Sequence, residues 1–482
     1  MERLPAEPTR DADRQGDPER DPGAVLRALL PETPSRLLAV GWDREALPAD
    51  RAAEILRRPT LDGLGDEEEF DAILWRTTTD SSVRESVAAV RARLADQGRL
   101  ILLGSFPPGN DAPGDAAAAV RRLVRELSEA GFVILRESGP GALAGDGQGT
   151  LLVARRDPFV VRPFREGDEE AILELFAASF HVERSLDHWC WKYRDNPWGA
   201  LKISLAFAAG GELAAHYSGY PVPFWHEGKI HLGLQMGDTM TGAEFRNVGR
   251  GAHSLLGRTV RHFFAIHRNG PFGFFFGFNT GPIQRFCRWF IGGSRAELVR
   301  YRVRRLDPQS PPEWRSAAGY RIRRVEKVDS AWDRFFRRVA PHYRFLVRRD
   351  AQYVAWRYLQ CPDRHHVVVA ASRRGRLVGW SVFRRREDRL VWGDALFDPR
   401  HARATEPILA AAVGSPELAG ASSIEAWFPD RPEWWDRELS GLGFETRPEP
   451  NKLGLMVLPD TEEQTPARLG YLYYTMGDGD LF

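Results

Sequence analysis

The stretch Arg246-Asn247-Val248-Gly249-Arg250-Gly251 decides how the middle of this 482-residue chain is read. It follows a largely apolar run that ends near Thr241. It precedes Ala252 to His267, where apolar residues recur at helical spacing. The first N–H groups of a helix lack internal partners and carry partial positive charge, so a strand, a glycine turn and a helix in that order make an anion site. A pyrophosphate can accept several of those hydrogen bonds if no Cβ atom obstructs it. Gly249 and Gly251 provide the clearance, and Arg246 and Arg250 add positive charge at the mouth.

Outward from this loop the chain repeats a phrase. His188-Trp189-Cys190-Trp191-Lys192-Tyr193, followed by Pro197, is matched by Tyr353-Val354-Ala355-Trp356-Arg357-Tyr358, followed by Pro362. Later landmarks keep the same order: Gly211-Glu212-Leu213 with Gly375-Arg376-Leu377, then Gly237-Asp238 with Gly393-Asp394. The copies part at the loop. After Gly393-Asp394 the chain reads Ala395-Leu396-Phe397-Asp398-Pro399-Arg400, with side chains where the first copy has glycines, so little coenzyme binding is expected there. Around these landmarks the first copy is expected to carry strands near 203–208, 213–220, 230–241 and 272–278, with helices near 252–267 and 282–290. A tail with Tyr471, Tyr473 and Tyr474 has the aromatic content of a segment that packs against a domain.

The chain is too long for one ordinary core. Residues 1–23, rich in Asp, Arg, Pro and Glu, are expected to form a disordered leader. Residues 24–156 alternate short apolar strands, such as Leu37-Leu38-Ala39-Val40 and Phe70 to Trp75, with amphipathic helices near 82–96 and 115–130. This is the pattern of an α/β layer with a largely parallel sheet. A turn is expected at Gln97-Gly98. Residues 159–306 and 319–482, joined by a proline-containing linker at 307–318, are expected to be two mixed-sheet α+β domains.

A net charge of +1 gives no global pull towards nucleic acid or an anionic membrane, and neither partner is expected. No segment approaches the roughly 18 apolar residues of a membrane span, and no signal peptide opens the chain. Cys190, Cys287 and Cys361 are too dispersed for a metal site or a disulfide framework and are expected as buried thiols. A cytoplasmic protein without a metal is the expectation.

Two resemblances follow from these residues. Residues 24–156 resemble the later part of a Rossmann-like methyltransferase that uses S-adenosylmethionine, through the strand–helix alternation, the Gly98 turn and Ala130-Gly131-Phe132. Val40 is followed by Gly41-Trp42-Asp43-Arg44-Glu45, not by a glycine-rich turn, and no second strand is evident. This segment reads as a degenerate scaffold in which S-adenosylmethionine binding is not expected.

From about Val160 to Leu298 the chain resembles the Gcn5-related N-acetyltransferases. Arg246, Gly249 and Gly251 fit that superfamily's [Q/R]-x-x-G-x-[G/A] signature position by position. The resemblance implies that the loop amides bind the pyrophosphate of acetyl-coenzyme A and that the main chain at Met240 and Thr241 pairs with its pantetheine arm. It also makes Asn279 the start of the helix after the fifth strand.

The implied activity is direct attack of an amine on an acyl thioester, with a small molecule or peptide as acceptor. Such chemistry needs orientation, a proton acceptor, an oxyanion partner and a proton donor for the thiolate. Asp238 is the candidate base by position, although Asp394 persists in the second copy, as a structural residue would. His216, replaced by Trp380 in the second copy, titrates in the useful range. Glu244 could meet the acceptor. The acid implied by the superfamily, a tyrosine seven residues after Asn279, is Phe286 here and has no proton to give. Trp191-Lys192-Tyr193 could line an acceptor groove, but its presence in both copies favours packing. Two other readings stay open: a coenzyme-binding sensor or scaffold without catalysis, and an aminoacyl-tRNA-dependent transferase.

Overall fold

The computed structural model describes residues 26, 28–30, 36–42, 47, 54–60, 69–77, 83–104, 116–138, 150–268, 270–307, 314, 319–363, 365–459, 470–480 and 482. The leader expected at 1–23 and most of the linker expected at 307–318 lie outside them. The chain divides into two compact units, residues 1–162 with 208–210 and residues 163–207 with 211–482.

In the first unit a six-stranded sheet runs in the order Glu54–Arg58, Arg36–Val40, Phe70–Thr77, Leu94–Gly104, Thr150–Arg156, Phe132–Ser138. The first four strands are parallel and the last two antiparallel. Leu37 and Ala39 pack into one core while Leu38 and Val40 pack into another, which is why this strand is a continuous apolar run. The helix Ala116–Glu129 buries Val120, Leu123, Val124 and Leu127, a stripe at i, i+3, i+4 and i+7.

One expectation is corrected here. A second strand does exist, Glu54–Arg58, but its residues are half-exposed or exposed and give no apolar signal. The turn expected at Gln97-Gly98 falls where the strand Leu94–Gly104 leaves register: Leu94 pairs with Phe70, the next pair is Arg99 with Ala72, and an added Cβ on Gly98 would stand 2.9 Å from the Ala95 carbonyl oxygen. Gly41 has φ 71°, and a Cβ there would stand 2.8 Å from the Arg76 carbonyl oxygen, so the close approach of the neighbouring strand accounts for this glycine.

The second unit holds two mixed sheets with matching order. In one, Lys202–Phe207, Leu213–His226 and Lys229–Thr241 are antiparallel neighbours, and Phe272–Asn279 joins the last of them in parallel. In the other, Val367–Arg373, Arg376–Arg386 and Arg389–Phe397 are antiparallel, and Ser423–Trp427 joins in parallel. The two strands of each parallel pair are connected by a helix crossover, Leu255–His267 in one and Thr405–Val413 in the other.

The halves then exchange strands. Tyr301–Arg305, which follows the first set, pairs with Ser423–Trp427 and Glu445–Arg447 of the second sheet. Gly454–Pro459, late in the chain, pairs with Phe272–Asn279 and Ser294–Leu298 of the first. A cut between residues 306 and 319 therefore takes a strand from each sheet.

The repeated phrase has the same shape in both halves. A short helix, Leu186–Trp189 or Ala351–Val354, runs into a π-turn, Cys190–Arg194 or Ala355–Leu359. The turns face each other, with the indoles of Trp191 and Trp356 stacked 4.9 Å apart. Trp191 Nε1 donates to the Trp356 carbonyl at 2.7 Å, and Trp356 Nε1 donates to the Trp191 carbonyl at 3.2 Å. The exchange satisfies both buried indole N–H groups while adding a large apolar contact.

Two variants separate these contributions. Trp356→Ala leaves a cavity and an orphaned carbonyl, and should cost about 3–5 kcal/mol in chemical unfolding of this unit. Trp356→Phe keeps the ring contact, loses one hydrogen bond, and should cost about 1 kcal/mol from that loss.

Candidate functional site

The parallel strands Lys229–Thr241 and Phe272–Asn279 are joined along only part of their length. Their pairing runs from Leu232↔Phe272 to Gln235↔Phe276 and stops. Beyond it the first strand stays paired to Leu213–His226, with an irregularity between Gly237 and Met240 where Asp238 adopts φ 49°. The edge of Gly237–Thr241 turned towards Phe272–Asn279 thus meets no strand. An opening at the carboxyl ends of parallel strands is the usual place for a ligand in such sheets. Met240 is buried and pairs with His216, and Thr241 pairs with Ala215, so both candidate coenzyme-contacting residues lie along this edge.

The glycine loop stands at the end of the same strand and is exposed. The helix after it starts at Leu255, three residues later than expected, because a 3-10 turn, Gly251–His253, intervenes. Ser254 caps that helix by accepting from the Gly257 amide at 3.0 Å, and the Leu255 amide donates to the Val248 carbonyl at 2.9 Å. The helix's own N-terminus is therefore partly satisfied. The amides of Gly249, Arg250, Gly251 and Ala252 make no hydrogen bond among the described residues. They, with the exposed guanidinium groups of Arg246 and Arg250, are the groups that fit a pyrophosphate. Asn247 is exposed and Val248 half-buried beneath them. Gly249 has φ 70°, and a Cβ on it would lie 2.2 Å from the His253 carbonyl oxygen. Its first duty is to let the loop close, and its clearance for a phosphate follows from that.

On the sheet face opposite this helix, Asp238 is the centre of a buried charge cluster. Arg184 grips both carboxylate oxygens, Lys192 Nζ donates at 3.0 Å, and the Tyr193 hydroxyl donates at 2.5 Å. Burial alone would push this carboxyl up, but Lys192 and Arg184 outweigh burial and hold it well below the usual carboxylate range. So held, Asp238 has little affinity for a proton, and the geometry makes it a fixed anion.

The second half repeats the arrangement. Arg349 donates to Asp394 at 2.9 Å and the Tyr358 hydroxyl at 2.6 Å. The persistence of Asp394 in the sequence is explained by this shared role.

His216 is fully buried. Its Nδ1 donates to the Asp238 carbonyl oxygen at 2.6 Å, and its Nε2 has no partner among the described residues. Burial brings its pKa down to about 4, against the opposing pull of Asp238. The ring is neutral at physiological pH and helps hold the irregular strand. Glu244 lies apart, exposed in the 3-10 turn Ala243–Phe245 beside Glu212. The structure thus brings His216 and Asp238 together and leaves Glu244 on the rim.

Below the opening, on the side of the helices Leu255–His267 and Gly281–Phe290, is an apolar pocket. Met236, Thr239, Gly277 and Asn279 line it where the strands part, and Phe286 and Cys287 line it from the second helix. Asn279 turns its amide towards the Cys287 sulfur at 3.9 Å. Phe286 therefore faces this pocket. Tyr217, Thr239 and Cys287 bring hydroxyl and thiol protons to this pocket, and the sequence reading singled out neither Tyr217 nor Thr239 and took Cys287 only as a buried thiol. Burial pushes the Cys287 thiol up to about 11 and the Tyr217 phenol well above its ordinary value, so both keep their protons at neutral pH. Tyr217 was hidden in a strand that showed only β-propensity, and no spacing in the chain ties it to Phe286.

In the second half the parallel pairing also ends early, at Trp392↔Ala426. Its loop differs in charge and in donors. Pro399 has no N–H, and the Asp398 carboxylate caps the Arg400 amide at 3.1 Å. Burial would raise that carboxyl, but Arg400 and Arg338 bring it down to about 2, so it stays ionised and takes up the amide and guanidinium donors that an anion would otherwise meet.

No family model matches this chain, and a search of curated proteins finds no match. Solved structures similar to it include a GCN5-related N-acetyltransferase from Kribbella flavida, at 14% identity and a TM-score of 0.44, covering 62% of this chain and 70% of that one. Another is a GCN5-related N-acetyltransferase from Anabaena variabilis, at 11% identity and a TM-score of 0.47, covering 63% and 73%. A third is Saccharomyces cerevisiae N-myristoyltransferase with bound myristoyl-CoA, at 11% identity and a TM-score of 0.42, covering 62% and 82%.

The buried, neutral His216 sets a pH dependence. Its pKa is about 4 in the fold against an ordinary 6.5, so between these values the unfolded chain binds the extra proton. Stability is unaffected by this group above pH 6.5 and falls as the pH drops through that window, by about 3 kcal/mol at its lower end. Melting temperatures measured across the window should fall with pH in the wild type, and His216→Gln should flatten the slope.

Proposed function

We propose that this chain is an acyl-coenzyme A-dependent N-acyltransferase whose reaction takes place where the strands Lys229–Thr241 and Phe272–Asn279 part. One observation carries the reading: an unpaired strand edge leads directly to a loop whose amides at Gly249 to Ala252 lack acceptors and are flanked by Arg246 and Arg250. A linear ligand with a pyrophosphate at one end and a thioester at the other suits that arrangement. The coenzyme supplies an activated acyl group.

The chain's own residues do the rest. Loop amides and arginines take the phosphates, and the edge from Gly237 to Thr241 aligns the arm by main-chain hydrogen bonds. Tyr217 and Cys287 stand in the pocket as proton-bearing groups near the strand opening. Orientation of two reactants supplies a large share of such a barrier reduction, on the order of 7–11 kcal/mol at best.

A second reading, coenzyme binding without transfer, is favoured by Phe286 and by the complete engagement of Asp238. The second half, with Asp398 and Pro399 at the corresponding loop, takes a supporting role in either case, and the first unit is read as a scaffold.

Titration calorimetry with acetyl-coenzyme A should show binding by the intact chain. Arg246→Glu combined with Arg250→Glu should weaken it at least about tenfold, the loss of charge-assisted bonds worth about 1.5–3 kcal/mol, without lowering the melting temperature because both side chains are exposed. Absence of binding by the wild type refutes both readings. Binding without acetylated product in a screen of primary amines selects the second.

A further inference from the structure

The C-terminal tail lies across the strand opening from the side opposite the glycine-loop helix. Gly479 approaches Phe278 on one of the parted strands: an added Cβ would stand 3.7 Å from its ring. Asp480 approaches Gly237 on the other: a Cβ there would lie 2.6 Å from the Asp480 carboxylate. The tail is held in place by Arg357, whose guanidinium donates to the carbonyls of Gly477 at 2.9 Å and Gly479 at 2.8 Å.

The tail treats the two halves differently. In the second half, the glycine corresponding to Gly237 is Gly393, and the ring of Phe482 lies against it, so close that a Cβ would stand 1.8 Å from a ring carbon. The tail's other acid, Asp478, is buried there, with Arg349 at 2.5 Å. The space above the second sheet is thus filled by a phenyl ring. Above the first sheet, the corresponding space holds a carboxylate. Lys192 binds Asp480 at 2.7 Å, yet the Asp480 side chain keeps 26% of its exposure, against 5% for Asp238.

We propose that Asp480 is the carboxylate that receives the acceptor amine. The inference rests on the acyltransferase reading above. An amine arrives protonated at neutral pH and must expose its lone pair before it can attack. Asp480 accepts a hydrogen bond from the incoming ammonium and passes its proton to water. The nitrogen then forms the C–N bond and releases its second proton to water as the C–S bond breaks; the thiolate takes a proton from the pocket side, and solvent restores the proton there. Lys192 and Arg357 act by positioning: one fixes the Asp480 side chain, the other the tail that carries it.

The test compares two acceptors in the full-length chain with acetyl-coenzyme A as donor. Butylamine is an ammonium ion at neutral pH, whereas hydroxylamine is uncharged and needs no such step. In Asp480→Asn, kcat/KM for butylamine should fall by about 100-fold or more while hydroxylamine is acetylated as in the wild type. Asp480→Glu should restore part of the butylamine activity.

Calorimetric binding of acetyl-coenzyme A should match the wild type in both variants, while the melting temperature of Asp480→Asn should fall, because the buried Lys192 loses one of its two carboxylate partners. Equal loss with the two amines would mark Asp480 as structural and overturn the proposal. So would undiminished butylamine transfer, or a wild type that binds acetyl-coenzyme A and acetylates neither amine. A wild type that does not bind acetyl-coenzyme A fails earlier, in the calorimetry, and that failure belongs to the acyltransferase reading.

Discussion

The stacked indoles of Trp191 and Trp356 fix the relation between the two halves of residues 163–482, and the other long-range features of this unit are built around them. Each indole donates to the other's main chain from inside a π-turn. A π-turn shifts the following carbonyls and side chains relative to an α-helix, and such turns are uncommon enough to need a cause. Here the cause is reciprocal: each turn presents a carbonyl that the partner's indole can reach. The exchanged strands, Tyr301–Arg305 and Gly454–Pro459, then tie each sheet to residues of the other half, so neither sheet is complete on its own.

Directly after each tryptophan comes a cation, Lys192 or Arg357, and then a tyrosine, Tyr193 or Tyr358, whose hydroxyl donates to the central aspartate of its half. The phrase is therefore one device: an indole that faces across, a cation that faces the tail, and a phenol that anchors the aspartate. Burying charges this way is expensive unless each is met, and removing one member of such a cluster commonly costs about 3–5 kcal/mol. Arg184, Lys192 and Tyr193 meet Asp238, and Arg349, Tyr358 and Thr475 meet Asp394. The clusters account for why Gly-Asp recurs in both halves: the aspartate is the anchor, and the glycine before it makes room for the tail.

Much of this was legible in the sequence, and the parts that were not share a physical reason. The strands and helices around the glycine loop were readable because their periodicities differ, and the tail's tyrosines were readable as packing because Tyr473 and Tyr474 are too apolar to be solvated at no cost. The second strand of the first unit was not, since Glu54–Arg58 lies at the sheet's edge, half-exposed, and carries no apolar run. The strand exchange was invisible because a strand's pattern shows that one face is buried, not against which sheet. The surroundings of Asp238 and His216 were illegible for a similar reason. Position along a strand put both near the opening, but only the surroundings, Arg184 from 54 residues away and Lys192 for Asp238 and burial beside the Asp238 carbonyl for His216, reveal that one is a fixed anion and the other a neutral buried ring.

The difference between the halves thus extends beyond the loop where it was first seen. In the second half, three changes close the opening: Asp398 occupies the Arg400 amide and guanidinium, Pro399 removes a donor, and Phe482 fills the space over Gly393. In the first half, the loop amides remain without acceptors, the strand edge remains unpaired, and the tail contributes a carboxylate instead of a ring. A duplicated fold kept for packing alone would give no reason for the loop, the strand opening and the tail all to diverge in the same direction. Under the proposed function that agreement is a division of labour, with one opening kept for ligand and the other closed to brace it, and the tail, threaded over both, adds to the stacked indoles and exchanged strands that make each half depend on the other.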